Sequence, residues 1–353
     1  MLNRRAAVRE TITGVERYTD ELTRRLLVSG EGGIRYVALA PRARARGRVL
    51  GQAWEQLALP LAARRLGAGL ILSAANLAPL AWPGNVLVLH DAAALREPAA
   101  FSAAYRLWHR GAELGAARRA RAVVTVSEFS RRELEGLAGL DPAAVHVIPG
   151  GVDARFSPGA DPGPARARLG LTRPYVLTVA TADARKNLPA LAPVAAALAR
   201  RGVDLVWAGD TRAYFAATAA GAPGLRALGY VDDALLPGLY RGAAAFVLPS
   251  RYEGFGLTCL EAMASATPVV AADRAALPET CGDAALLVDP DDARALTEAV
   301  LAAATDEATG ARLRAAGPPR AARFSWERTA ERVDGLLRSL SGTPPDPARE
   351  ETV

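Results

Sequence analysis

Glu253 stands just before a loop that contains two glycines, and Glu261 stands in the helical pattern that follows the loop. Gly254 and Gly256 disfavour helix in the loop, whereas the apolar spacing from Leu257 onward predicts a helix. The helix N-terminus therefore lies at the loop, where free backbone N–H groups and the positive end of the helix dipole suit a phosphate. Either glutamate alone is more often a solvated residue, so the prediction depends on their combination.

The segments on both sides of this loop strengthen the prediction. An apolar strand at 243–250 runs into the loop, and a second apolar strand at 268–272 follows the helix. A strand, a glycine loop and a helix form a nucleotide-binding crevice at the carboxyl end of a parallel sheet. A second loop of this kind, between a strand at 175–180 and a helix near Asn187, carries Arg185 and Lys186. Adjacent basic residues usually form a solvated face, but here they stand where a phosphate would bind.

The segment PSRYEGFGLTCLEAMASATPVV resembles the donor-site signature of the fourth family of retaining glycosyltransferases, in which two glutamates are separated by seven residues. It departs from that signature at Cys259 and at Ala266, where the family usually has glycine. TGVERYTDEL near the start resembles the family's first loop and helix. TVATADARKN resembles its G-T-x-x-x-RKN loop, with Ala180 in place of the glycine.

The resemblance implies the GT-B fold, an α/β arrangement of two doubly wound, Rossmann-like domains that face each other across a cleft. We expect an acceptor-binding domain over 1–160, whose first strand is short or missing, and a nucleotide-sugar-binding domain over 172–323. A helix over 324–340 would cross back to the first domain, and the tail over 341–353 would be disordered.

The resemblance also implies roles for individual residues. Lys186, Arg185 and the helix N-terminus would stabilise the diphosphate, and Glu261 would accept hydrogen bonds from the ribose hydroxyls. Glu253 and His90 would meet sugar hydroxyls. His90 stands at the end of the strand in 85–95, where periodicity alone favours a histidine buried in the core. The resemblance favours a site histidine instead. The expected donor-binding residues are Gly14, Thr181, Arg185, Lys186, Tyr230, Val231, Gly254, Phe255, Gly256, Leu257 and Glu261. The residues expected to take part in the reaction are His90, Asp91, Lys186 and Glu253.

Composition limits the partners of the chain. With 353 residues, half of them apolar, it has the length of two domains, and its two cysteines have no metal-ligand spacing. The apolar runs are too short to span a membrane. Residues 1–160 carry 22 arginines against 14 acidic residues, a net +8, within a total of +6. This excess predicts an anionic partner, a membrane surface or a lipid-linked pyrophosphate ahead of nucleic acid, which would require recognition motifs that are missing.

We therefore predict a cytoplasmic, metal-independent hexosyltransferase without a cofactor, acting at the inner face of a membrane. The donor would be a nucleotide-diphosphate sugar that carries mannose, with rhamnose and glucose as alternatives. GDP-mannose is favoured because VLVLHDAAALREP and VVTVSEFSRREL resemble bacterial mannosyl- and rhamnosyltransferases of polysaccharide synthesis. The acceptor would be a glycan or a lipid-linked glycan. The alternatives are a nucleotide-sugar epimerase or a phosphorylase on the same fold, a Rossmann oxidoreductase, and a catalytically weak scaffold subunit. A phosphorylase would need a second lysine, which the chain lacks. An oxidoreductase would need a glycine fingerprint after the first strand, which is also missing.

Overall fold

The computed structural model describes residues 1–8, 14–28, 34–42, 48–209 and 223–342, which contain two six-stranded parallel sheets. The first sheet has the order β2-β1-β3-β4-β5-β6, and the second has β9-β8-β7-β10-β11-β12. In the second sheet the strand order reverses between β7 and β10. The crevice at such a reversal is the usual ligand site of an open parallel sheet.

The strands of the first sheet are β1 (Leu2–Asn3), β2 (Ala38–Leu39), β3 (Ile71–Ser73), β4 (Asn85–Val88), β5 (Ala122–Thr125) and β6 (Val145–Val147). The first strand, β1, has two residues and pairs with both β2 and β3. The segment IRYVALA at 34–40 predicts one strand, but the structure forms only Ala38–Leu39 there. Ile34 and Tyr36 precede β2 and, like Ala38, pack against the cluster that contains the C-terminal helix.

The helices of the first half are α1 (Gly14–Val28), α2 (Arg48–Ala53), α3 (Leu59–Arg65), α4 (Ala93–Arg96), α5 (Ala103–Trp108), α6 (Leu114–Arg119) and α7 (Glu128–Ala138). A π-helical turn at Trp54–Ala58 joins α2 to α3, so these two helices form one continuous helical segment. A serine before an acidic first turn predicts Ser127 as the N-cap of α7, and the structure confirms it, because the Ser127 hydroxyl accepts the backbone N–H of Ser130 at 3.0 Å. The sequence likewise predicts Thr13 as the N-cap of α1, but Thr13 lies outside the described residues.

The second sheet consists of β7 (Tyr175–Val179), β8 (Asp204–Ala208), β9 (Leu225–Gly229), β10 (Ala245–Leu248), β11 (Val269–Ala272) and β12 (Ala285–Val288). The helices of this half are α8 (Gly163–Leu169), α9 (Ala192–Ala199), α10 (Leu236–Arg241), α11 (Leu257–Ala264), α12 (Leu277–Cys281), α13 (Ala293–Thr305), α14 (Glu307–Ala321) and α15 (Trp326–Ser341). The strands β7, β10 and β11 are apolar and almost wholly buried, as expected for parallel strands covered by helices on both faces.

The C-terminal helix α15 follows the second sheet in sequence but packs on the first. Its buried residues Trp326, Val333 and Leu337 share one apolar cluster with Tyr18 and Leu22 of α1. The apolar stripe of α15 therefore has the period of an amphipathic helix and faces the first half. Of the tail that the sequence predicted to be disordered, 343–353 lies outside the described residues, and Ser341 is the last residue of α15.

Candidate active site

The loop at 250–256 joins β10 to α11 at the carboxyl edge of the second sheet. Gly256 has φ +96°, and a Cβ at this position would lie 2.6 Å from Cδ2 of Leu277, so the chain turns there as only glycine readily can. The helix α11 then begins at Leu257, and no side chain in the described part of the chain caps it. Its first backbone N–H groups are thus available to an anion, as the sequence predicted.

Gly254 brings this loop against the first half of the molecule. A Cβ at Gly254 would lie 2.7 Å from Cβ of Asp91 and 2.9 Å from the carbonyl oxygen of His90, so no larger residue fits there. The carbonyl oxygen of Gly254 accepts hydrogen bonds from the hydroxyls of Ser127 at 2.7 Å and Ser130 at 3.0 Å. The loop therefore lies beside the ends of β4 and β5.

Lys186 and Glu253 meet at the strand-order reversal, one from each of the two loops. Nζ of Lys186 donates to Oε1 of Glu253 at 2.6 Å, and the two side chains are 15% and 12% exposed. A backbone hydrogen bond joins the two loops, since the Arg251 N–H donates to the Arg185 carbonyl at 2.7 Å. A mostly buried ammonium, with a carboxylate to orient it, thus stands near the uncapped N-terminus of α11.

The guanidinium of Arg185 pairs within its own loop and lies over an aromatic ring of the first half. Its guanidinium donates to both carboxylate oxygens of the buried Asp183, at 3.1 and 3.3 Å, and stands 5.1 Å from the ring centre of Phe101. Thr181 donates to the same carboxylate at 2.9 Å. Burial lowers the pKa of Arg185, but the charges of Asp183, Asp91 and Glu253 outweigh it and raise that pKa above its ordinary value. Arg185 therefore stays charged and braces the loop.

His90 lies at the end of β4, as the sequence predicted. Its Nε2 lies 3.1 Å from the carbonyl oxygen of Ala74, which can only accept, so Nε2 carries the proton. Burial lowers the pKa of the imidazole, against the raising effect of that hydrogen bond and of Asp91 and Glu16. A neutral His90 protonated on Nε2 leaves Nδ1 as an acceptor. The neighbouring Asp91 accepts the N–H of Ala93 at 2.9 Å through Oδ1 and starts α4.

Glu261 lies in the second turn of α11, 4% exposed. Its Oε2 accepts the Tyr240 hydroxyl at 2.9 Å, and its Oε1 lies 3.7 Å from Nε of Arg17 on α1. Burial raises the pKa of this carboxyl above its ordinary value, although Arg17 and the Tyr240 hydroxyl act in the opposite direction. Glu261 is thus a desolvated carboxylate whose second oxygen faces a cation from the first half.

Arg17 is the residue that sequence reasoning missed. It also pairs with Asp233, which in turn pairs with Arg155, and both arginines stand over the ring of Phe156, with centroid distances of 5.7 and 5.1 Å. Arg17 lies within TGVERYTDEL, so the resemblance included its position. Its partners are more than 200 residues away in sequence, and no local pattern connects them.

The remaining predicted donor-binding residues are Gly14, Tyr230, Val231 and Phe255. Gly14 begins α1, and a Cβ there would meet nothing within 4 Å. Tyr230 is 52% exposed and Val231 is buried just beyond β9. Phe255 packs edge-on against Phe324, with ring centres 5.6 Å apart.

No three His, Cys, Asp or Glu side chains of the described residues form a group that could hold a metal ion. None of the helices they form is both long enough and apolar enough to span a membrane.

Two family models match the chain, one in each half. The model described as Glycosyltransferase Family 4 matches residues 31–156, and the model described as Glycosyl transferases group 1 matches residues 173–306. O-antigen chain mannosyltransferase B of Escherichia coli is 33% identical over 233 residues, which cover 63% of this chain and 61% of that protein. The chain thus matches about three fifths of the length of this relative.

Solved structures resemble the whole described architecture. Sucrose-phosphate synthase from Thermosynechococcus elongatus superposes with a TM-score of 0.76 at 23% identity and covers 97% of this chain and 99% of that one. Anabaena Alr3699/HepE in complex with UDP-glucose gives a TM-score of 0.68 at 20% identity, covering 94% and 97%. At these identities the likeness shows the fold, and the GT-B arrangement expected from the sequence is confirmed.

Proposed function

We propose a reaction for this chain from the premise that it consists of two glycosyltransferase domains in the GT-B fold. The chain moves a hexose from a nucleotide-diphosphate sugar to a glycan or lipid-linked acceptor, with retention at the anomeric carbon. The observation that carries this proposal is the Lys186–Glu253 pair beside the uncapped N-terminus of α11. Mannose is the favoured sugar, since the Escherichia coli relative is named a mannosyltransferase.

The proposed reaction needs charge stabilisation at the leaving group. The bond from the anomeric carbon to the phosphate oxygen breaks, and negative charge grows on the diphosphate. Lys186 and the first N–H groups of α11 are placed to stabilise that charge, the kind of contribution that usually dominates such catalysis. The acceptor oxygen forms its bond to the anomeric carbon on the face that the diphosphate leaves, and the acceptor proton passes to the leaving phosphate, so neither glutamate acts as a nucleophile.

The other site residues orient the donor. Glu253 holds Lys186 in place and, with the acceptor nitrogen Nδ1 of His90, faces sugar hydroxyls. Glu261 accepts hydrogen bonds from the ribose hydroxyls once Arg17 gives way at Oε1. Arg185 acts through Asp183 to fix the loop that carries Lys186. None of these steps calls on a metal ion.

The proposal is tested by nucleotide release from a panel of GDP-, UDP- and dTDP-sugars, with and without EDTA, and by NMR of the anomeric proton in the product. Release from one donor class, unaffected by EDTA and with retained configuration, is the expected result. Interconversion of the sugar without nucleotide release would indicate an epimerase instead. Absence of turnover with any donor and acceptor, in a protein that still binds nucleotide, would indicate a scaffold subunit.

A further inference from the structure

The turn that follows β3, residues 74–76, holds His90 at two points. The carbonyl oxygen of Ala74 faces Nε2 of the His90 ring at 3.1 Å, and Oδ1 of Asn76 accepts the His90 backbone N–H at 3.0 Å. The backbone N–H of Asn76 donates to the carbonyl oxygen of Val88 at 3.0 Å. Hydrogen bonds in both directions therefore fix this turn to the end of β4.

Asn76 has a backbone conformation that suits few residue types. Its φ is +60°, in the left-handed region that glycine, asparagine and aspartate tolerate better than other residues. Glycine has no side chain to accept the His90 N–H, whereas asparagine and aspartate both have an oxygen that can. Only asparagine adds an NH2 group, which donates hydrogen bonds. The backbone and the contact to His90 thus account for the side-chain oxygen of Asn76 and leave its NH2 group without a role.

The NH2 group of Asn76 is an unused donor on the first half's side of the candidate active site. Because the His90 N–H is itself a donor, the amide atom that faces it must be the oxygen, which fixes the orientation of the amide. Nδ2 of Asn76, a partly exposed residue, donates no hydrogen bond to any residue that the structure describes. His90 in turn lies against the loop at 250–256, since a Cβ at Gly254 would lie 2.9 Å from the His90 carbonyl oxygen. The amide is therefore one residue away from the loop that we propose for the donor.

We propose that Nδ2 of Asn76 donates a hydrogen bond to a hydroxyl oxygen of the transferred hexose, next to the hydroxyl that donates to Nδ1 of His90. This inference rests on the proposed function and extends it to a residue that selects the sugar. A hydroxyl both donates and accepts, so an imidazole acceptor and an amide donor held by one hydrogen bond can fix two neighbouring hydroxyls in one orientation. Such a pair discriminates against a sugar that lacks either hydroxyl, because a polar group of the site is then left unpaired.

Calorimetric titration of the full chain with GDP-mannose and with GDP, in the absence of an acceptor, tests this contact. UDP-glucose and UDP replace them if the donor panel selects uridine. The ratio of the two affinities isolates the contribution of the hexose. Asn76→Asp keeps an oxygen for the His90 N–H and removes the NH2 donor, so it should lower the affinity for the nucleotide sugar by about tenfold and leave that for the bare nucleotide unchanged. Asn76→Gly, which loses both contacts, should lower the ratio at least as much.

The matched control is Gln56→Glu, which makes the same change from amide to carboxylate at the far end of the β3–β4 connection. Both amide atoms of Gln56 are used within the protein, since Nε2 donates to the Ala78 carbonyl at 3.1 Å and Oε1 accepts the Leu80 N–H at 2.9 Å. This variant should lower the melting temperature and leave the ratio of affinities unchanged.

Two results would overturn the contact between Asn76 and the hexose. One is an unchanged ratio of affinities in Asn76→Asp. The other is a loss confined to Asn76→Gly, which would show that Asn76 only holds His90 in place. An unaltered protein that binds none of these nucleotides and nucleotide sugars would contradict the proposed function itself, and this inference with it.

Discussion

The two ends of the candidate cleft differ in what the first half of the molecule touches. At the Lys186–Glu253 end, hydrogen bonds from Ser127 and Ser130 reach the backbone oxygen of Gly254. At the Glu261 end, Arg17 of α1 stands 3.7 Å from the Glu261 carboxylate itself. One end is thus braced through the backbone and has Lys186 and Glu253 paired with each other, whereas at the other end a cation from the first half faces the carboxylate that we propose for the ribose.

This difference separates two tasks. Stabilising a leaving diphosphate requires a charge that is in place before the reaction, because reorganisation during the reaction would raise the barrier. Holding a ribose requires only that Arg17 release the Glu261 carboxylate when the donor binds. The structure therefore predicts that changes at the first end affect turnover and changes at the second affect binding and stability.

The largest effect is expected from Lys186→Ala. Removing the ammonium takes away charge stabilisation of the leaving group, and turnover should fall by about 10²–10³-fold. Steady-state nucleotide release measures this, with circular dichroism to verify the fold. Arg251→Ala, at an exposed arginine of the neighbouring loop that pairs with Asp291, is the matched control and should keep its rate. A Lys186→Ala enzyme with undiminished turnover would remove Lys186 from the reaction.

The next effect is expected from Arg17→Met, which removes the cation shared by Glu261 and Asp233. Its side chain is 10% exposed, so the loss of charged contacts should destabilise the unliganded protein by about 1–3 kcal/mol. Thermal melting checks this against Arg24→Met on the same helix, whose side chain is 59% exposed and pairs with Asp20 and Glu21. Equal melting shifts for the two variants would show that the contact across the cleft contributes nothing.

Much of the second sheet was predictable from sequence, because its strands are continuous apolar runs and its two site loops carry local signatures. Lys186, Glu253 and Glu261 lie within those signatures and were predicted from them, and the structure brings Lys186 and Glu253 together. The pairing of Asp183 with Arg185 could have been proposed, because the two residues are two positions apart. Proximity alone did not single it out, since an acidic residue beside a basic loop can have several other partners.

The first half was less predictable, for physical reasons. Its strands have two to four residues, too few for a reliable period, and Ile34 and Tyr36 look like strand residues but pack against α15. The Arg17–Asp233 pair joins residues 216 positions apart, so it follows from how the two sheets face each other and from no pattern within either.

A smaller effect concerns pH. Burial raises the pKa of Glu261 in the folded protein, so in the window between its unfolded and folded pKa values the folded state holds more protons. The resulting stability is fully present below the unfolded pKa and is lost as pH rises through the folded pKa. Nucleotide affinity should instead increase as pH rises, since the ionised carboxylate accepts hydrogen bonds from the ribose hydroxyls. Melting temperature and nucleotide titrations across this window measure both, and Glu261→Gln should flatten both curves. Unchanged slopes in that variant would assign the pH dependence to another group.

The smallest effect concerns the turn after α11. Ala266, which stands where the resembling family usually has glycine, has φ +52°, a conformation that costs a residue with a Cβ about 1–2 kcal/mol. Ala266→Gly should therefore raise stability by about 1 kcal/mol while leaving turnover unchanged. Ala264→Gly, at the last residue of α11, is the control and should lower stability by up to about 1 kcal/mol. Destabilisation by both changes would show that the turn is not strained.

The division between the two ends is tested most directly by calorimetric titration of the unaltered protein, Lys186→Ala and Glu261→Gln with a nucleoside diphosphate and the matching monophosphate. We predict that Lys186→Ala removes the preference for the diphosphate while keeping monophosphate affinity, and that Glu261→Gln weakens both nucleotides by the same factor. Equal weakening of both nucleotides by Lys186→Ala, or unchanged affinities in Glu261→Gln, would contradict the assignment of diphosphate and ribose to these two ends.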